Sequence, residues 1–341
     1  MTLRLANVSV AYDGKTVVDD VSLTLGEDEI LTLVGPTGCG KTTILNAIAG
    51  LVPLAQGEIS LGAWTATASR TVAPEKRGLG MVFQDFALFP HLSVEQNIAF
   101  RTSNTALVDR WIDSLGLGPL RRARPNQLSG GQRQRVALAR TLAHEPRLVL
   151  LDEPLSNLDA ALKDALRWEI RDALKQAGVP AVWVTHDQAE ALSIGDTLGV
   201  LENGSLTQLA APSVCFDTPA SRFVARFLGE AVFLPGVVDA TAAVAHTALG
   251  PIPITGVSAG AVDVLMRPDD LTLDLLDDAN ADANGSVTWR RYEGPSCLYG
   301  VTLSSGEALM VRLNHEYDLS VGAAVTVRRI SEQAHTGFAE A

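Results

Sequence analysis

Cysteine is scarce in this chain: Cys39, Cys215 and Cys297 are all there is among 341 residues, and they lie far apart with no metal-ligand spacing. That excludes a disulfide framework and suits a reducing compartment. Long apolar runs are lacking as well, since no stretch reaches the roughly eighteen residues of a membrane-spanning helix. The opening Met1-Thr2-Leu3-Arg4-Leu5 has neither the basic start nor the apolar core of a secretory signal. The expectation is a soluble, intracellular protein that meets a membrane only through another chain. Positive charge is also in short supply. With 27 Lys and Arg against 39 Asp and Glu the net charge is −12, and Arg121, Arg122 and Arg124 make only a brief cluster, so no nucleic acid is expected as a partner. Tandem repeats are absent.

What is present begins with enough length for two domains and an apolar fraction of 47%, ordinary for buried cores. The chain is organised around Gly35-Pro36-Thr37-Gly38-Cys39-Gly40-Lys41-Thr42-Thr43, which follows the apolar run Ile30 to Val34 and opens into the helix-like Ile44 to Ala49, ahead of Gly50. Strand, glycine-rich loop and helix make up the context a P-loop requires. Glycines let the backbone wrap a triphosphate with its N–H groups turned inward, and the helix N-terminus adds partial positive charge there. Lys41 is placed to reach the β- and γ-phosphates, and the hydroxyl of Thr42 to ligate Mg²⁺. Cys39, beside a helix N-terminus and Lys41, is expected to favour thiolate, so that alkylation blocks activity and bound ATP protects.

Further chemistry is strung along the chain in short pieces. Tyr12, at a turn with Asp13-Gly14, could stack on adenine or simply cover core, and position alone leaves both open. The apolar strand Leu79 to Phe83 ends at Gln84, a neutral amide suited to a metal-bound water and to nucleotide sensing. Phe86 to His91 follows as an aromatic loop, either a partner surface or a satellite core. Ser129-Gly130-Gly131-Gln132 opens a helix and makes a second anion-binding terminus, which makes sense if it serves a nucleotide held by another copy. Leu148 to Leu151 reads as a strand buried on both faces with Asp152-Glu153 at its carboxyl end, Asp152 suited to Mg²⁺ and Glu153 to polarising water as general base. Asp159 closes a cap and turn able to reach a neighbouring subunit. His186 ends a further buried strand, Ala181 to Val184, where it could hold the attacking water; alone it would read as structural. A Ser129/His186/Asp152 triad is dismissed, because no nucleophile elbow surrounds the serine. Beyond about Gly229 short alternating runs and little helix signal predict a small β-barrel-like domain, with His246, His315 and His335 as surface residues.

Taken together and in this order, these pieces resemble the ATP-binding subunit of an ABC transporter. They match its Walker A, Q-loop (Gln84), signature (Leu128 to Gln132), Walker B (Leu148 to Glu153), D-loop (Asp159) and H-loop (His186), and Tyr12 falls at the family's adenine-stacking position. Phe89 to Val94 and Thr185 to Leu192 further resemble the importer branch, and the tail, with Arg267-Pro268-Asp269, is similar to its transport-associated OB-like regulatory domain. The implied fold is an α/β P-loop NTPase with an antiparallel β subdomain and a helical subdomain over residues 1–230, then a small all-β domain over 231–341. The implied activity is ATP hydrolysis with Mg²⁺ in a head-to-tail homodimer at the cytoplasmic face of the membrane. Partners would be two integral membrane permease subunits, contacted near Gln84 and the Phe86 to His91 loop, and indirectly a solute-binding protein. Phe227 to Gly236 and Tyr292 to Ser296 look most like ferric-iron importers, with polyamine, sugar or oxyanion uptake as the alternative. A DNA-acting P-loop ATPase is the remote rival, which would need a coiled coil or zinc module between Walker A and the signature.

Overall fold

The computed structural model describes residues 2–239, 243–275 and 283–340. It divides into two compact units, Met1–Ser213 and Val214–Ala341. The boundary expected near residue 230 would leave the helix Arg222–Leu228 in the first unit, yet it groups with the second. Buried Arg267 ties it there, donating to the carbonyls of Ala225 at 2.8 Å and Glu230 at 3.1 Å.

The first unit carries two sheets. Its strands and helices are β1 (Leu3–Tyr12), β2 (Lys15–Leu25), β3 (Ile30–Val34), α1 (Lys41–Ala49), β4 (Gln56–Leu61), β5 (Trp64–Thr67), β6 (Leu79–Val82), α2 (Val94–Ile98), α3 (Thr105–Ser114), α4 (Gly130–Leu142), β7 (Leu148–Asp152), α5 (Ala160–Ala177), β8 (Ala181–Val184), α6 (Gln188–Ile194), β9 (Thr197–Glu202) and β10 (Ser205–Ala210). An antiparallel sheet runs β2-β1-β4-β5, and a six-stranded sheet runs β10-β9-β3-β8-β7-β6. In the second, β9, β3, β8, β7 and β6 pair in parallel, and only the β9–β10 hairpin is antiparallel. Parallel strands need crossovers, so helices cover both faces and the central strands become apolar throughout.

Successive side chains point to opposite faces, and the two cores follow that pleat. Leu31, Leu33, Leu148, Leu150, Val182 and Val184 pack with Ile44, Leu45 and Ile48 of α1 and with the antiparallel sheet. Ile30, Val149, Leu151, Ala181 and Trp183 pack on the other side with Val136 and Leu142 of α4, Leu166 and Ile170 of α5, and Trp111 of α3. Helices α1 and α4 therefore lie on opposite faces of one sheet. Among the described residues no helix is long and apolar enough to cross a membrane.

The second unit is all β apart from short helices. Strands Val232–Val238, Val244–Thr247, Gly250–Thr255, His335–Ala339 and Gly260–Met266 close a barrel in that order, and a five-stranded sheet shares its core through Leu234, Val264, Tyr299 and Val325. One surface reading fails here. His246 and His315 are exposed, but His335 is largely buried, its Nδ1 on Leu265 O at 3.1 Å, because it begins a strand of the closed barrel.

Helix α1, which carries the phosphate loop at one end, is held at the other by a residue without any motif. Arg77, 4% exposed, donates Nη1 to Ala47 O at 2.8 Å and Ile48 O at 2.7 Å, and Nε to Val72 O at 2.9 Å, while its guanidinium lies over Trp64. It satisfies carbonyls that a helix end leaves unpaired and places a cation at the negative end of the dipole. Arg77→Ala is expected to cost about 3 kcal/mol or more in urea unfolding, since it strands buried acceptors of charged hydrogen bonds.

Candidate functional site

The phosphate loop turns at the buried end of β3. No side chain fits at Gly35, where a Cβ would come within 2.3 Å of Leu201 O and 2.7 Å of Cys39 Sγ, and Gly40 adopts φ 101° to start α1. Pro36, Thr37 and Gly38 stand exposed, Thr42 is open and Thr43 half-buried, so the rim of the loop faces solvent. Lys41 is 6% exposed, and its ammonium rests on the carbonyls of Gly35 at 2.8 Å and Pro36 at 3.0 Å. None of the ion pairs among the described residues includes it. Its Nζ also lies 3.8 Å from Cys39 Sγ, so the buried ammonium rests on neutral groups alone, a setting suited to an anion. Backbone of β2 closes on the loop as well, Val17 O lying 3.0 Å from a Cβ at Gly40. That brings the β1–β2 hairpin alongside, with Tyr12 at its end, 43% exposed.

Parallel pairing brings the carboxylates to the same edge. Thr42 Oγ1 donates to Asp152 Oδ1 at 3.0 Å. Burial pushes the Asp152 carboxyl above its usual range; the Thr42 hydroxyl and Lys41 oppose this, and Glu153 adds to it. A hydroxyl and a partly desolvated carboxylate side by side fit a hard cation that takes its remaining oxygens from phosphate and water. No group of three His, Cys, Asp or Glu side chains that could hold a metal ion is found among the described residues. Next along the chain, Glu153 sits at φ 45°, a conformation costly for a side chain of its kind. Its N–H donates to Val184 O at 3.0 Å, and its Oε2 lies 3.0 Å from His186 Nδ1. Gln84 is exposed past the end of β6, its carbonyl held by Asn157 Nδ2 at 3.1 Å. Asp159, also exposed, heads α5 without a side-chain cap bond.

The second terminus expected to bind an anion stands apart from this group. Ser129 and Gln132 form a capping box at the start of α4, Gln132 N donating to Ser129 Oγ at 3.3 Å and Ser129 N to Gln132 Oε1 at 2.9 Å. A Cβ at Gly130 would come 2.7 Å from Leu158, and one at Gly131 2.9 Å from Leu162 and Leu166. Leucine side chains thus press on both glycines, Leu162 and Leu166 from α5 and Leu158 from just before it. Lys41, Thr42, Asp152, Glu153 and His186 share one edge of the sheet, while Ser129 to Gln132 lie on the helix that covers its other face.

Sequence reasoning missed what holds the Gln84 loop. Phe86 and Ala87 both take positive φ, 67° and 43°, and Arg140 of α4 donates to both carbonyls. Phe86 is 7% exposed and belongs to the core, whereas the Phe89 ring packs tilted against Phe100, centroids 4.4 Å apart, beside a groove of about 310 Å³. An arginine in an Ala- and Leu-rich helix carries no local signal of such a contact.

A family model for the ABC transporter matches residues 18–156, and one for the TOBE domain matches residues 264–336. A spermidine/putrescine import ATP-binding protein of Pseudomonas fluorescens is 37% identical over 95% of this chain and 94% of its own. The chain belongs to the ATP-binding subunits of ABC importers. An sn-glycerol-3-phosphate import ATP-binding protein of Rhodopseudomonas palustris is 36% identical over 98% of this chain and 96% of its own, and a maltose/maltodextrin counterpart from Salmonella typhimurium 43% over 71% and 67%. Among solved structures, a dimeric ATP-binding cassette in a post-hydrolysis state with ADP and Pi superposes with TM-score 0.54 at 28% identity, over 62% of this chain and 98% of that one. The importer subunit is therefore an ATPase with an α/β P-loop domain and a C-terminal all-β TOBE domain. Iron uptake finds no support among these relatives, whose names carry polyamine, glycerol phosphate and maltose.

The structure also corrects the expected reactivity of Cys39 in this ATPase. It is 5% exposed, with Sγ packed under Gly35 and 3.8 Å from Lys41 Nζ. A thiol without access is inert whatever its neighbours. Native protein is expected to leave Cys39 unlabelled by a bulky maleimide, by mass spectrometry, and unfolded protein to label it fully.

Proposed function

We propose that this chain powers solute uptake through separate membrane subunits as one half of a head-to-tail homodimer at the cytoplasmic face, each ATP held between Lys41 of one copy and Ser129 to Gln132 of the other. The observation that carries the reading is the cluster at the sheet edge: a buried ammonium, a Thr42–Asp152 pair and a Glu153–His186 pair at 3.0 Å. Gly35 to Thr43 would cradle the phosphates and Tyr12 would stack on adenine. Thr42, Asp152 and Gln84 are the residues that would hold Mg²⁺ or its waters, and a cation held there would offset the negative charge of the phosphates. Glu153 takes a proton from the attacking water, and His186 holds the water and Glu153 in line. Asp159 reaches across the interface. Location of α1 and α4 on opposite faces of one sheet supports the division between two copies.

A membrane subunit would dock at the groove beside Phe89, Phe100, Arg101, Arg140 and His144. This extends the contact expected at Gln84 and the Phe86 to His91 loop. A solute-binding protein would then act only through the membrane subunits. For cargo, the polyamine names of relatives spanning nearly the whole chain favour polyamines, with sugars next. ATP-driven uptake into vesicles holding the co-expressed membrane subunits tests the reading; uptake of neither class, with ATPase activity intact, would reject the cargo assignment alone.

Glu153→Gln keeps shape and hydrogen-bonding reach but loses the base. Hydrolysis is expected to fall about 10² to 10⁴-fold with ATP binding retained, measured by phosphate release and nucleotide titration. Normal turnover would remove Glu153 from the mechanism.

The composite site is tested by mixing one Lys41→Ala chain with one Ser129→Arg chain. If the site is shared, both defects fall in one composite site and the other stays intact. Crosslinking across the interface should then report ATP-dependent closure in the mixed dimer and in neither parent. A mixed dimer that closes no better than its parents would argue against the head-to-tail arrangement.

A further inference from the structure

His186 is a single residue between two that the fold pins. Thr185 N donates to Leu33 O at 3.1 Å, and Asp187 caps α6 by accepting Glu190 N at 3.0 Å. The His186 side chain is 52% exposed, and its Nδ1 lies 3.0 Å from Glu153 Oε2. The ring is carried by the turn Thr185 to Asp187, in which Asp187 N donates to Thr185 Oγ1 at 3.0 Å.

That turn is locked from beneath by a buried carboxylate. Glu190 is 2% exposed, although it lies only four residues from a solvent-facing histidine. Thr185 Oγ1 accepts from Asp187 N at 3.0 Å, which leaves its own hydrogen to go to the Glu190 carboxylate. Trp183 Nε1, fully buried in β8, donates to Glu190 Oε2 at 3.4 Å. Glu190 thereby joins the end of the strand, the turn and the first turn of the helix through one group. Burying a carboxylate is costly, and an apolar residue would fill the space at no such cost. Burial pushes the carboxyl above its usual range, Asp187 adding to this, while the Thr185 and Trp183 hydrogen bonds and Lys163 oppose it. The arrangement makes sense as a device for holding two donors in fixed directions.

We propose that Glu190 is a positioning residue for hydrolysis, holding Thr185-His186-Asp187 so that the His186 ring meets Glu153 without itself touching nucleotide. The proposal rests on the role of His186 argued above. A small misplacement of a reacting group costs much more rate than affinity.

Steady-state ATPase kinetics of the full-length protein test it. Glu190→Ala should lower kcat about 10- to 100-fold, with KM for ATP within about twofold. Glu190→Gln keeps an oxygen that accepts from both donors and should recover most of the loss. Thr185→Val removes the linking hydroxyl at nearly constant shape and should fall in the same direction, which serves if Glu190→Ala does not fold. In a His186→Ala background, Glu190→Ala should cost nothing further. Equal losses in both backgrounds would mark a general structural defect and overturn the proposal, as would unchanged kcat in Glu190→Ala and Thr185→Val alike. Full turnover of His186→Ala alone would remove the role of His186 itself. The His186 ring proton resonance, assigned by its loss in His186→Ala, separates the two: Glu190→Ala should shift it and Glu190→Gln restore it, and an unshifted resonance overturns the positioning.

Discussion

Register in the parallel sheet is the constraint on which the rest depends. Leu33 pairs with Val184 and Val184 with Asp152, so three strands end within one residue of each other and the residues that follow them, Gly35, Thr185 and Glu153, emerge at one edge. Every residue of β3 and β8 is buried, and each strand alternates between two apolar cores. A slip of one residue would exchange those faces and carry Asp152 and His186 away from Lys41. Aliphatic packing, at roughly 1.5 to 3 kcal/mol for each fully buried side chain, thus sets the placement of the charged groups.

The same pleat separates the two helix termini. Because α1 packs on one face and α4 on the other, the glycine-rich starts of the two helices belong to different surfaces. At the start of α4, Gly130 and Gly131 leave room for Leu158, Leu162 and Leu166. Arg140 ties the strained Phe86-Ala87 backbone to α4, so the segment after Gln84 and the helix that begins at Gly130 are mechanically joined.

Much of the fold was legible because its signals are local. The apolar runs Ile30 to Val34, Leu148 to Leu151 and Ala181 to Val184 are too short for helices and lack polar alternation, which means burial on both faces. Gly40 and Gly50 delimit α1 at its two ends. What was not legible involves distance along the chain. Phe86, left open between a partner surface and a satellite core, fills a core built from distant helices. Cys39 has the neighbours of a reactive thiol, and only the packing beneath Gly35 shields it. His335 reads as a tail histidine until barrel closure places it against Leu265. The short tail segments likened to iron importers carried too little sequence to decide a cargo, and full-length relatives point elsewhere.

By itself, then, the sequence determined which residue types stand where: a lysine after a glycine-rich loop, a Ser-Gly-Gly helix start, and acids and a histidine just past buried strands. Those properties follow from residue type and short-range pattern, because loop, strand and cap are each built from fewer than a dozen adjacent residues. Tertiary structure alone decided which groups meet and which are shielded. The Thr42–Asp152 contact spans 110 residues and the Arg77 cap on α1 thirty, and a contact of that separation exists only once sheet order and the two cores have closed around it.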